Sequence, residues 1–144
     1  MKLNIMIIMG LQVALAMTAC VTAAQPEPAE GLSPVHQLAA SLSAAGAQVE
    51  IGGDASQPFI AVPGQILLVN GLDVQVFEFS SDAAAADLAA QVSADGGSVG
   101  TTMIMWVEAP HFFRDGRLIV LYVGENSNIL VTLAQALGPQ FAGR

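Results

Sequence analysis

Basic side chains are scarce: four Lys and Arg stand against twelve Asp and Glu in 144 residues, giving a formal charge of −8. Phosphate backbones are bound through clustered Lys and Arg, so this balance excludes a nucleic-acid partner. Cysteine is scarcer still. Cys20 stands alone, which excludes a disulfide framework and a thiolate metal cluster and leaves stability to the core. His36 and His111 are the only histidines and lie too far apart in sequence to define a catalytic pair. The longest apolar stretch, 5–17, is broken only by Gly10 and Gln12 and falls short of the roughly 20 residues that a spanning helix needs.

That stretch is informative by its position. Lys2 precedes it, and Met17-Thr18-Ala19-Cys20 follows, the layout of a secretory signal peptide. Small residues directly before a cysteine resemble the lipobox of bacterial lipoproteins, with Met17 standing where Leu is usual. The resemblance implies removal of residues 1–19 and a lipidated Cys20 as the new N-terminus. An ordinary signal peptide with an incidental cysteine is the alternative. Each buried acyl methylene contributes about 0.8 kcal/mol, so two or three chains anchor durably. Cleavage would remove Lys2 and leave Arg114, Arg117 and Arg144 against twelve acids. Anionic headgroups repel such a surface, so the lipid has to do the anchoring.

Residues 21–32, VTAAQPEPAEGL, have two prolines, two glutamates and no apolar period. They read as a flexible tether with a reach of roughly 20 Å. Residues 33–144 have the size of one domain. Ser33-Pro34 starts a helix with Val35, Leu38, Ala39 and Leu42 at helical spacing, ending at Gly46. Short strands are expected at 47–51 and 58–62, the second opening with Pro58 and so near an edge. Asn70-Gly71 and Asp115-Gly116, each between β-prone runs, predict two type I′ hairpins. Ser81 or Asp82 caps a helix, 103–107 (MIMWV) reads as a buried strand, and 118–123 is apolar on both faces, as in a central strand. A last helix runs from about 127 to 137 between Asn126 and Gly138-Pro139. The predicted order is α-β-β-β-β-α-β-β-β-α, an α+β domain with three helices against a mostly antiparallel sheet. An echo between QPF…ILLV…VFEF and APHFF…LIVLYV, each followed by a helix, leaves a duplicated unit open.

The segments GTTMIMWV (100–107), PHFFRDGRLIVLYVG (110–124) and LGPQFAG (137–143) resemble small uncharacterised bacterial lipoproteins. The resemblance implies a recurring domain and supplies no activity or functional residue.

Four groups of residues could carry chemistry. Gly96-Gly97-Ser98-Val99-Gly100 matches G-x-S-x-G, yet a helix precedes Ser98 and a strand follows it, the reverse of a nucleophile elbow; it reads as a turn. His36 reads as a neutral surface residue in a helix's first turn, and His111 as a structural histidine sharing a face with Phe113, Leu118, Val120 and Tyr122. Met103, Met105, Trp106 and His111 are somewhat similar to the set that small periplasmic copper(I) chaperones use, since thioethers and imidazole suit Cu(I). Alternation puts Met103 and Met105 on one strand face and Trp106 on the other, so core packing is the expected role and no metal or other cofactor is expected. Arg114 and Arg117, flanking the Asp115-Gly116 turn, would oppose each other on one face and need Glu108, Asp115, Glu125, an anion or a partner carboxylate. Together these point to a membrane-tethered, non-enzymatic binding module of the cell envelope, with a partner still to be identified. The alternatives are a Cu(I)-binding lipoprotein using Met103, Met105 and His111, and an enzyme of unrecognised type.

Overall fold

Capping residues set the helices, and an Asn-Gly turn sets one of the hairpins. In a computed structural model that describes residues 31–144, Ser33 caps α1 (Pro34–Ala44), its Oγ accepting the His36 N–H at 3.4 Å. Gly46, at φ 95°, turns the chain out of the helix. Val35, Leu38 and Leu42 recur at spacings of three and four and form the buried stripe. The expected signal peptide, Cys20 and the tether as far as residue 30 lie outside the described residues.

Next come β1 (Val49–Gln57), β2 (Ile60–Val69) and β3 (Leu72–Glu78). Asn70 and Gly71, at φ 51° and 80°, form the expected type I′ turn between β2 and β3, with Val69 opposite Leu72. The strand expected at 58–62 and the ILLV strand are one ten-residue strand, β2. Pro63 interrupts nothing, because it falls where β1 shifts register and just beyond the last β3 pair, Gly64 with Phe77. Gly64 has a specific role. A Cβ there would lie 2.6 Å from the fully buried Phe77 ring, which packs across the bare strand.

Then follow α2 (Asp82–Ala89), β4 (Ser98–Val99), β5 (Thr102–Met103), β6 (Pro110–Asp115), β7 (Leu118–Val123), α3 (Ser127–Leu137) and β8 (Ala142–Gly143). Six strands form an antiparallel sheet in the order β1-β2-β3-β7-β6-β8, and β4 pairs with β5 separately. The fold class is α+β with three helices and a mostly antiparallel sheet, as expected. β7 is covered on both sides: Leu118, Val120 and Tyr122 join the core under α1 and α3, while Ile119 and Leu121 join Phe77, Phe112 and Ala85 of α2 on the other face.

That arrangement does not relate the two candidate repeat units by symmetry. β3 and β7 are antiparallel neighbours, so only a two-fold axis normal to the sheet could exchange them, and it would keep their following helices on one face. α2 and α3 lie on opposite faces.

Residues 103–107 are not the buried strand that their composition suggests. Only Thr102 and Met103 pair, with Val99 and Ser98, and Met103, Met105 and Val107 are 87%, 97% and 94% exposed. Alternation survives with its faces inverted. Trp106 turns inward against Phe59 and Phe112, and burying the indole stabilises more than burying one thioether would.

Candidate functional site

The segment joining α2 to β6 is held by its backbone and by one aromatic side chain. The Gly100 N–H donates to Gln91 O at 2.8 Å and the Ile104 N–H to Gly97 O at 2.9 Å. The Trp106 indole Nε1–H donates to Gly96 O at 2.7 Å, and its ring meets Phe59 and Phe112 edge-on, centroids 5.8 and 6.0 Å away. With Trp106 pinned, Met103, Met105 and Val107 project on the opposite side. Three large apolar side chains thus stand in solvent on one short loop, an arrangement associated with interaction surfaces. Unbranched thioethers adapt to uneven partners.

Beside this loop opens a cleft of about 620 Å³, bordered by Trp106, Glu108, His111, Glu125, Leu130 and Arg144, with Met105 at its margin. His111 is 3% exposed. Its Nδ1 lies 2.6 Å from Gln140 Oε1, and an amide oxygen only accepts, so Nδ1 carries the proton. With Nδ1 donating there, the other ring nitrogen, Nε2, is buried without a partner. Leaving such a group unsatisfied costs about 1–3 kcal/mol. The expected face holds: His111 stacks on Tyr122, centroids 6.1 Å apart. Its bond to Gln140, 29 residues away, and the cleft carboxylates Glu108 and Glu125 had no local sequence signal tying them to His111.

Arg114 and Arg117 do not oppose each other. Asp115 pairs with Leu118 and Arg114 with Ile119, so the two-residue loop is Gly116-Arg117 rather than Asp115-Gly116. Gly116 has φ 52° while Arg117 is not in the positive-φ region, which suits a turn needing glycine at its first central position only. This register removes the repulsion that the other would impose. Arg117 Nη2 reaches Glu78 Oε1 at 2.6 Å across the sheet, a carboxylate other than the three anticipated, and Arg114 Nη1 donates weakly to Asp82 O at 3.4 Å.

The remaining candidates separate. Met103 borders a different depression from the one lined by Met105 and His111, so the Met103, Met105 and His111 set is divided. Among the described residues no three His, Cys, Asp or Glu side chains are grouped to hold a metal ion. The 96–100 segment is a turn only at its ends: Gly96 and Gly100, at φ 70° and 57°, flank the two-residue strand β4, which holds Ser98. Asp95 Oδ1 accepts from Ser93 Oγ at 2.7 Å and the Gly97 N–H at 3.0 Å. The Ser93 hydroxyl chiefly, then the Gly97 N–H, hold its carboxyl below the ordinary value, Arg144 adding to this against a small opposing desolvation. His36 is exposed as expected, its Nδ1 2.7 Å from Ser33 Oγ. Among the described residues no helix is long and apolar enough to cross a membrane. Comparison with family models, with curated proteins and with solved structures finds no match.

Proposed function

We propose that this chain is an envelope lipoprotein, tethered through lipid on Cys20, whose domain acts by binding rather than by catalysis. Its docking element is the 103–107 loop, and the observation that carries the reading is the near-complete exposure of Met103, Met105 and Val107. A core segment does not spend three large apolar side chains in water, whereas a contact loop does. The occupant is a protein surface with an apolar groove and a basic rim. Twelve acids against the three arginines left once Lys2 is removed, with Glu108 and Glu125 beside the loop, favour a basic rim and disfavour an anionic lipid surface.

The test has two arms. A Met105→Ser, Val107→Ser double variant, exposed at both positions, should keep its unfolding midpoint and lose its envelope partner. Glu108→Lys with Glu125→Lys should weaken the same complex and flatten its salt dependence. Retention of the partner by both variants refutes the docking assignment.

A further inference from the structure

We propose that the cleft beside the loop recognises a guanidinium group, and that the docking partner supplies it from an arginine; the second clause rests on the docking reading above. Three polar residues border this cleft: His111, whose Nε2, an acceptor in a neutral imidazole, is buried without a partner, and Glu108 and Glu125 with their carboxylates. A planar fork with five N–H donors meets separated acceptors better than a point-charge ammonium, and Trp106 also borders the cleft. An anion is disfavoured twice. Both carboxylates repel it, and the first free N–H groups of α3 are taken by the Asn126 side chain, which accepts from Asn128 and Ile129 at 3.0 and 3.3 Å. Arg144 opposes a cation from the rim, its Nη2 3.9 Å from Asp95 Oδ2.

Nε2 is shielded from solvent. A ligand therefore reaches it only with local movement of the groups around it.

The experiment titrates the full chain in detergent micelles, with ¹⁵N-labelled histidine, against N-acetyl-arginine amide and against a capped Leu-Arg-Phe peptide. The His111 Nε2 resonance should shift as a donor arrives. Affinity should fall about tenfold in a Glu108→Gln, Glu125→Gln double variant and rise about two- to threefold in Arg144→Gln, in line with the worth of exposed charge pairs. Response to both probes means that guanidinium alone suffices, and response to the peptide alone means that a polypeptide source is required; either supports the proposal. Silence at Nε2 with both probes at millimolar concentration, undiminished binding in the double glutamine variant, or saturation of Nε2 by one equivalent of Cu(I) or Zn(II) instead would overturn it. Probe binding without a partner at the loop sinks the docking reading alone, and a partner at the loop without probe binding sinks this one alone.

Discussion

Truncating Trp106 to alanine tests how the docking loop is held. Removing a fully buried tryptophan costs about 3–5 kcal/mol, and Trp106 is half-buried, which reduces the transfer share to about half. The two edge-to-face contacts with Phe59 and Phe112 contribute about 0.5–1.5 kcal/mol each beyond area, and the hydrogen bond to Gly96 O about 1 kcal/mol. Part of this is recovered as water reaches the Gly96 carbonyl, so the expected loss is about 3 kcal/mol. Trp106→Phe keeps a ring between the two phenylalanines and loses the indole N–H, and should cost about 1 kcal/mol. Urea unfolding followed by far-UV circular dichroism reads both values. Hydrogen exchange localises them: the Ile104 amide, bonded to Gly97 O, should exchange faster in Trp106→Ala than the loss of global stability explains, while the β7 amides track it. A loss below about 1 kcal/mol for Trp106→Ala, or unchanged exchange at Ile104, refutes the anchoring role.

Gly64→Ala should destabilise by about 1–3 kcal/mol through overpacking, because its Cβ meets the Phe77 ring at 2.6 Å and Val76 O at 2.9 Å; thermal unfolding checks this. Arg117→Ala should cost only about 0–1 kcal/mol, since its bridge to Glu78 is 41% and 31% exposed; a double-mutant cycle with Glu78→Ala measures it. Asp95 is held below the ordinary carboxyl value of 3.8, chiefly by Ser93. A depressed folded value means that its contribution is present above the unfolded pKa and lost as pH falls through the folded one. Carboxyl NMR should therefore place its midpoint below 3.8, and Ser93→Ala should raise it. Cys20→Ala should block acylation and leave uncleaved precursor on an immunoblot of membranes.

Local chemistry was legible in the sequence, and long-range pairing was not. Ser33, Ser81 and Asn126 cap their helices because a hydroxyl or amide acts on N–H groups two or three residues ahead. Asn70-Gly71 specified its turn because both residues adopt positive φ readily, here 51° and 80°. The central place of β7 could be read from apolar residues on both faces. The 103–107 loop could not, since alternation separates two faces without saying which one the fold covers. The Gly116-Arg117 loop displaced Asp115-Gly116 because register is shared with β3, where Glu78 stands opposite Leu118. The His111 to Gln140 bond and the cleft carboxylates come together only when α3 and β8 close against β6. The apolar face of α1, by contrast, needed nothing beyond its own spacing.

Photocrosslinking from position 105 in native envelopes tests the central claim most directly. With a photoreactive side chain replacing Met105, one protein should be captured, less efficiently at high salt, and not from the same group at exposed Ser43 on α1. Capture of lipid alone from position 105, or equal capture from positions 43 and 105, would contradict the assignment of this loop as the docking element.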